Sequence, residues 1–344
     1  MGYIGGVDPL SQACIGSAAA QSLSRRTALF TALWVGALGG FLPDADILIR
    51  SSSDPLLSLE YHRHFTHSLI FIPIGGLITA ALGKLLTGGK RSIGELWLPG
   101  ALGWATHGLL DSCTSYGTYL LWPFSNARIA WDNVSIVDPL FTIPIVVGVL
   151  LAARRDRRAL AVAALAWAMI YLSLGVIQRE RAEAVYSATI EARGHTAGQL
   201  EVKPSFGNNL LFRAFYKHDD SFYVDSVRVP WWGPSQVFEG SSIPALDIPK
   251  LRATLDPVHQ HDLDRFAYFS AGFLVADPVH PGFIGDFRYA MVPNAISPLW
   301  GINLGDGLPG QHLDFERFST VGQAERQSML DQLWGIPPAG SNPH

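Results

Sequence analysis

The first half of the chain alternates between long apolar stretches and short polar hinges. Five stretches contain no Asp, Glu, Lys or Arg: residues 27–43, 65–83, 96–110, 139–153 and 159–178. Helices of these lengths, rising about 1.5 Å per residue, lie between the short end and the middle of what spans a bilayer. A buried core helix is the alternative for any single stretch. Five in succession favour a bundle of membrane spans.

After residue 178 the pattern becomes that of a soluble domain. Residues 221–232 and 266–276 are apolar and aromatic runs separated by Gly, Pro and Asn, which is typical of short β-strands. We therefore predict an α-helical polytopic membrane bundle of five to six spans in residues 1–178 and a β-rich extramembrane domain in residues 179–344. The sixth span would be residues 9–24, whose small residues suit either close packing or a crossing helix.

Basic residues mark one side of the predicted bundle. They precede the first stretch and separate the second from the third and the fourth from the fifth. Because positive residues stay inside, these hinges are expected in the cytoplasm, and residues 44–66, 112–138 and the β-rich half in the periplasm of a bacterium. The basic residues are Arg25, Arg26, Lys84, Lys90, Arg91, Arg154, Arg155, Arg157 and Arg158.

Composition excludes several classes of function. The chain is 48% hydrophobic and 16% charged, with a net charge of −4 and no basic stripe, so no nucleic acid partner is expected. Its two cysteines, Cys14 and Cys113, form neither a disulfide framework nor a metal-type pair. Membrane lipids are the expected partners.

Histidines and carboxylates stand where apolar stretches meet the predicted periplasmic side. His107 and Asp111 are four residues apart and project from one helix face. A capped helix end with a satisfied histidine is the alternative. In HRHFTHS, residues 62–68, we expect His67 to be the stronger metal ligand and His62 a second metal ligand. His64 is not expected to bind the metal. Such groups are costly at a membrane rim unless a divalent metal holds them.

Asp44 and Asp46 follow the first stretch, where Pro43 limits continuation of the helix. Two carboxylates so close repel each other unless a cation lies between them, although solvated loop residues are the alternative. Asp132 and Asp138 suit a further ligand and a helix cap, and spacing does not choose between these roles. Mixed nitrogen and oxygen ligands suit zinc, and a carboxylate-rich set equally suits manganese or a second metal.

A metal here would lower the pKa of a bound water towards 7, while a neighbouring group accepts the proton. His62 is a candidate proton shuttle. Arg63 either binds an anionic group of the substrate or forms a salt bridge to Asp44 or Asp46. Serine triad chemistry has no support, because no GxSxG motif is present.

With these residues laid out, the chain resembles bacterial membrane-bound metal-dependent hydrolases, the YdjM-type inner-membrane proteins. The resemblance implies a metal site on the retained residues. Similarity of this family to zinc-dependent phospholipase C and P1-type nucleases further implies phosphoester hydrolysis. The matching motifs are VDPLSQACIGSAA (7–19), GGFLPDADIL (39–48), HRHFTHSLIF (62–71), HGLLDSCTSYGTYLLWPFS (107–125) and DPLFTIP (138–144).

We therefore expect an inner-membrane hydrolase that cleaves an ester or phosphoester of a lipid or lipid-linked substrate. One departure favours a different class of protein. Members usually carry a histidine in the first motif, as in DPLTHA, where this chain has Gln12. The alternative is a non-catalytic membrane scaffold with a structural metal or ion-pair site, in which Trp231 and Trp232 bind a partner.

Overall fold

The computed structural model describes residues 8–305, 307–318 and 322–337. Among these residues, seven α-helices precede the first strand, two lie between the fourth and fifth strands, and one follows the eighth strand. The α-helices are α1 Pro9–Leu23, α2 Leu29–Phe41, α3 Leu57–Tyr61, α4 Ile72–Leu86, α5 Ile93–Ser112, α6 Pro139–Arg154, α7 Arg158–Ala192, α8 Ile248–Arg252, α9 Pro257–Phe269 and α10 Gln323–Trp334. The strands are β1 Gln199–Pro204, β2 Leu211–His218, β3 Ser221–Arg228, β4 Gln236–Pro244, β5 Leu274–Ala276, β6 Phe283–Asp286, β7 Trp300–Asn303 and β8 Asp314–Arg317.

A helical N-terminal region precedes a β-sheet-rich domain, as predicted. Within the described residues, three helical segments are long and apolar enough to cross a membrane: Arg26–Leu48, Leu69–Leu86 and Arg158–Ala192. Helix α6 is apolar but has only 16 residues. Length and composition thus support three spans, and the predicted count of five to six is not confirmed.

Glycines let α1, α2 and α5 approach until their backbones touch. A Cβ at Gly36 would lie 2.5 Å from the carbonyl oxygen of Gly16, and one at Gly103 would lie 2.4 Å from that of Gly36. Small residues of this kind are what close helix packing in a membrane requires. The crossing brings the C-terminal ends of α2 and α5 side by side, where the polar motifs lie.

Two Asp-Pro-Leu sequences begin α1 and α6 at the same end of the bundle. The carboxylates of Asp8 and Asp138 accept hydrogen bonds from backbone N–H groups in the first turn of their helices, which have no partner within the helix. Proline then occupies the first helical position, where its missing N–H costs nothing. The backbone N–H of Asp8 also donates to the carbonyl of Ile136, which holds the two helix starts together.

The β-rich half contains two antiparallel four-stranded sheets, in the orders β1-β2-β3-β4 and β5-β6-β7-β8. Phe215 of the first sheet packs edge-on against Phe273, 5.1 Å away, in a shared core beside β5. The prediction of a strand over residues 266–276 is wrong in its first part. Phe266 and Phe269 end α9, and the chain turns at Ala271 before β5 begins. The cap at Asp256 starts this helix, a signal that the run of apolar residues concealed.

Helix α7 connects the two halves. It has 35 residues and continues past residue 178 to Ala192. Gln178 donates to the carbonyls of Asn209 and Val229, and Tyr186 is buried against the first sheet. The helix therefore leaves the bundle and enters the core of the β-rich half without a break.

Candidate metal centre

Four buried side chains bring their ligand atoms together at the ends of α2 and α5. His67 Nε2 lies 2.9 Å from His107 Nε2, and Asp44 Oδ1 lies 3.5 and 3.4 Å from these two nitrogens. Asp111 Oδ2 lies 3.2 Å from His67 Nε2 and 3.7 Å from His107 Nε2. The four atoms lie within 4.8 Å of one another, close enough to hold one metal ion. We call these four residues the metal centre.

The end of α2 positions the first ligand. Pro43 follows this helix, and the chain tightens into the 3₁₀ helix Leu42–Leu48. Asp44 lies in its first turn and is 7% exposed. The alternative that Asp44 and Asp46 are solvated loop residues is wrong, since Asp46 is only 3% exposed.

Helix α5 supplies two ligands and supports the loop that supplies a third. His107 and Asp111 lie four residues apart on its last turns, and both are fully buried. A Cβ at Gly108 would lie 2.3 Å from the carbonyl oxygen of His67. Only glycine therefore lets the His67 turn rest directly against α5.

Hydrogen bonds to the Nδ1 atoms fix both imidazoles. His107 Nδ1 lies 2.6 Å from the carbonyl of Gly40, which can only accept, so Nδ1 carries the proton. Thr66 Oγ1 donates to Asp46 Oδ2 at 2.9 Å and therefore accepts from His67 Nδ1 at 3.0 Å. With Nδ1 of each ring used in these hydrogen bonds, the two Nε2 atoms face each other at 2.9 Å. Two such nitrogens are stable at this distance only when they share a cation, either a proton or a metal ion.

Charge and spacing show that a divalent cation fits. Three buried carboxylates, Asp44, Asp46 and Asp111, surround one buried guanidinium, Arg63, which leaves a net charge of −2 on these four side chains. Such buried charge is costly unless compensated. Ligands of a tetrahedral ion at about 2.0–2.1 Å lie about 3.3 Å from one another. The separations given above range from 2.9 to 3.7 Å.

Asp46 and His62 form a second group with Asp44, whose ligand atoms also lie within 4.8 Å of one another. His62 Nδ1 donates to Asp46 Oδ1 at 2.9 Å, and the backbone N–H of Arg63 donates to Asp46 Oδ2 at 3.0 Å. His62 Nε2 is buried without a hydrogen-bond partner among the described residues. Asp46 thus orients the imidazoles of His62 and His67, as a carboxylate behind a metal-ligating histidine does.

Arg63 holds Asp111 in place. Its backbone adopts a positive φ of 63°, and its guanidinium Nε lies 2.9 Å from Asp111 Oδ2. Nη1 donates to Thr114 Oγ1 at 2.8 Å, and the group lies over the ring of Tyr116 at 5.0 Å. The guanidinium is fully buried and pairs with a carboxylate that the sequence analysis did not assign to it.

Three other polar residues of the motifs lie outside both groups. The ring of His64 packs against Tyr119 at 4.6 Å. Asp138 caps α6, and Asp132 accepts from Lys203 Nζ at 3.0 Å. The sequence analysis left these two aspartates undecided between ligand and cap. Their hydrogen bonds assign Asp138 to the cap and Asp132 to an ion pair.

Gln12 lies beside the metal centre, where the resemblance leads us to expect a histidine. Its Nε2 donates to Asp111 Oδ1 at 2.8 Å and to the carbonyl of His107 at 3.4 Å. Its Oε1 is buried and has no hydrogen-bond partner in the part of the chain described. The amide of Gln12 therefore orients Asp111 without belonging to the metal centre.

The metal centre is reached from the rim of the bundle. The side chain of Asp44 is 8% exposed, whereas those of His67, His107 and Asp111 are fully buried. Two apolar residues close to Asp44 in the sequence, Phe41 and Leu48, are 48% and 71% exposed. Asp44 is therefore the ligand nearest the protein surface, on a segment that exposes apolar side chains.

Sequence reasoning missed the residues that position the ligands. Gly40, Thr66 and Gly108 were not assigned to the site, although each contacts a ligand. Thr66 directly precedes His67 in the histidine-rich motif, which is a usable signal. No local pattern marks Gly40, since its role depends on how α2 crosses α5.

Comparison with known proteins agrees with these features. The family model described as YdjM inner membrane protein matches residues 7–182. Inner membrane protein YbcI of Escherichia coli (strain K12) is 33% identical over 108 residues, which are 30% of this chain and 61% of that protein. The chain thus spans less than two thirds of this relative. No solved structure matches the chain.

Proposed function

The chain belongs to the YdjM inner membrane protein family, and from that premise we propose that it is a membrane-embedded metal-dependent hydrolase of an ester or phosphoester bond. The observation that carries the proposal is the pair of imidazole Nε2 atoms facing each other at 2.9 Å between buried carboxylates. Asp44, His67, His107 and Asp111 would hold the metal, and zinc suits their two nitrogens and two oxygens. Asp46 and His62 would hold a second ion or orient the first set.

A divalent cation bound there supplies Lewis acidity, which lowers the pKa of water towards 7 and polarises the bond to be cleaved. His62 accepts the proton at Nε2, because its Nδ1–H is held by Asp46. Arg63 fixes Asp111 through its 2.9 Å contact. It would bind an anionic substrate group only if it turned from that partner.

The segment that carries Asp44 supports a proposal for the substrate class. Asp44 lies in Arg26–Leu48, which is apolar enough to cross a membrane, and Phe41 and Leu48 of the same segment are exposed. A lipid or lipid-linked molecule presents its ester bonds at this depth, whereas a soluble substrate would have to displace lipid to reach Asp44. We therefore propose a lipid substrate.

The orientation of the chain in the membrane and its division into two domains are also proposals. The basic residues between the apolar helices favour a cytoplasmic position for those hinges, which puts the metal centre and residues 179–344 in the periplasm. Residues 1–178 would then form the membrane domain that carries the site.

Metal analysis and assays of the purified protein test the proposal. We expect about one zinc per chain and cleavage of bis-p-nitrophenyl phosphate or phospholipid that a chelator abolishes. The paired substitutions His67→Ala and His107→Ala should remove both. His64→Ala is the matched control and should retain both, because its ring packs outside the metal centre. Stoichiometric zinc in the double variant would contradict the assignment of ligands.

One observation favours a second function, a non-catalytic scaffold with a structural metal. Gln12 places an amide against Asp111 where the family resemblance implies a histidine. A protein that binds zinc through the same residues, yet cleaves neither phosphodiesters nor phospholipids, would support the scaffold over the hydrolase.

A further inference from the structure

Two cavities adjoin between the loop after α5 and the β-rich half. The polar cavity has a volume of about 510 Å³ and the apolar cavity about 470 Å³, both in the range of small-molecule sites. Ser115, Lys203 and Arg288 line both of them. The two volumes therefore meet at a pair of cations.

The apolar cavity opens to the protein surface near the start of α6. Ile136 and Phe206 line it, and Phe206 is 62% exposed. The backbone N–H of Gly207 donates to Ser135 Oγ at 3.0 Å, which fixes this mouth beside the start of α6. Leu140 on the first turn of α6 is also 62% exposed. A lipid chain could enter here from the apolar surface of the bundle.

The junction retains hydrogen-bond donors that are not used. Lys203 Nζ contacts Asp132 and Glu201 at 3.0 and 2.9 Å, which leaves one of its three protons. Arg288 donates through Nε and Nη2 to the carboxylate of Asp286 and through Nη2 to the carbonyl of Phe269, and no described residue accepts from its Nη1. Tyr116, which lines the polar cavity and is 2% exposed, has a hydroxyl with no partner in the described ranges.

Two further guanidiniums in the cavity walls have no acidic partner among the described residues. Arg128 of the polar cavity donates to the carbonyls of Tyr116 and Phe269. Arg213 of the apolar cavity is 5% exposed and donates to three backbone carbonyls, and its Nε has no partner in the described part of the chain. Buried cations without counter-charge are costly, so an anion at the junction would relieve both.

We propose that the two cavities together bind one anionic membrane phospholipid. Its phosphate would lie at the junction, where Lys203 and Arg288 retain unused donors, and an acyl chain would fill the apolar cavity. Charge complementarity selects the anionic head, and the apolar walls select the tail.

This site is next to the metal centre but distinct from it. The ring of Tyr116 lies 5.8 Å from that of His62 and also lines the polar cavity. No member of the metal centre lines either cavity. Lipid binding therefore does not require hydrolysis, and the two proposals can fail separately.

Titration of the purified protein in detergent with phosphatidylglycerol tests the inference, with Trp300 of the apolar cavity as one fluorescent reporter. We expect saturable binding. Diacylglycerol, which lacks the phosphate, should bind about tenfold more weakly, because the charge-assisted hydrogen bonds are lost. Millimolar inorganic phosphate should not displace the lipid, because it has no tail.

Two substitutions and two controls locate the site. Ala290→Trp fills the apolar cavity, and Lys203→Met removes a junction cation; each should weaken phosphatidylglycerol binding about tenfold. Lys217→Met removes the same charge on β2, outside both cavities, and should bind normally. Asp111→Asn should lose zinc but keep the lipid.

A cooperative thermal unfolding transition in detergent, compared with that of the unsubstituted protein, shows that each variant is folded. Equal lipid binding by Ala290→Trp and the unsubstituted protein, with both folded, would overturn the inference. So would equal affinity for diacylglycerol.

Discussion

Two groups of side chains in this protein each combine three carboxylates with one guanidinium, but they differ in burial and in the atoms that face the carboxylates. Around the metal centre, three carboxylates and Arg63 accompany imidazoles. A second group, which we call the Arg265 cluster, joins α3 to α9 and β8 and contains three carboxylates, one guanidinium and one imidazole. Its members are Asp54, Glu60, Asp262, Arg265 and His312.

In the Arg265 cluster each carboxylate meets a donor. Arg265 contacts Asp54, Glu60 and Asp262 at 3.0, 2.6 and 3.1 Å. The side chains of Asp54 and Glu60 are 21% and 43% exposed, so water screens their charge. In the metal centre, by contrast, acceptor atoms face one another out of contact with water. A list of residue types therefore does not identify a metal site; the direction of the lone pairs does.

The largest expected difference between the two groups is the response to metal. At zinc concentrations 1,000 times the dissociation constant, we expect the free energy of unfolding to rise by about 4 kcal/mol, because only the folded chain brings the ligands together. Thermal unfolding in detergent, with zinc and with chelator, measures this. Asp111→Asn should abolish the rise, since Asp111 contributes a ligand atom.

Glu60→Gln in the Arg265 cluster is the matched control for that experiment. It replaces a carboxylate by an amide in a side chain that pairs with Arg265, is 43% exposed and lies outside the metal centre, so the stabilisation by zinc should persist. A chelator that leaves the unfolding of the unsubstituted protein unchanged would remove the distinction between the two groups.

A smaller effect is expected from a carboxylate that orients a ligand without belonging to the metal centre. Asp46→Asn keeps an acceptor for His67 but places an NH₂ group among the donors of Thr66 and Arg63. We expect zinc affinity to fall by about 10- to 100-fold. Competition with a chromogenic chelator measures it.

An aspartate-to-asparagine substitution in the Arg265 cluster is the control for Asp46→Asn. Asp262→Asn also alters a fully buried carboxylate, which accepts from His312 and Leu313. Zinc affinity should not change in this variant. An equal loss in both variants would mean that the effect of Asp46 is a general loss of stability.

The sequence was sufficient to select the site residues but not their arrangement. Asp44, His67, His107 and Asp111 stood out because charged and imidazole groups are costly beside apolar stretches. The structure brings all four together, and whether they bind metal stays a prediction. That Asp46 faces Nδ1 of His67 could not be predicted, because it depends on a loop conformation.

The fold shows the same limit. The change from apolar helices to strands at the middle of the chain was visible in the pattern, and the β-rich half is confirmed. The contact of Arg63 with Asp111 depends on a left-handed residue at Arg63 and on the crossing of distant elements, which no local pattern encodes. The predicted number of spans is not confirmed, because charge-free stretches include helices such as α6 that are too short to qualify by length.

The smallest predicted effect is the contribution of the Arg265 cluster to the pH dependence of the free energy of unfolding. Burial by itself raises the pKa of Asp54, but the hydrogen bond and charge of Arg265 outweigh it and hold that pKa below the usual range. A lowered pKa in the folded state means that the unfolded chain binds the proton more readily. The stabilisation is therefore complete above the ordinary pKa of about 3.9 and is lost as the pH falls below it. For this partly exposed pair it amounts to a few tenths to about 1 kcal/mol. Unfolding of chelated protein between pH 3 and 6 should depend less on pH in Asp54→Asn than in the unsubstituted chain, and identical slopes would show that the pair contributes nothing to stability.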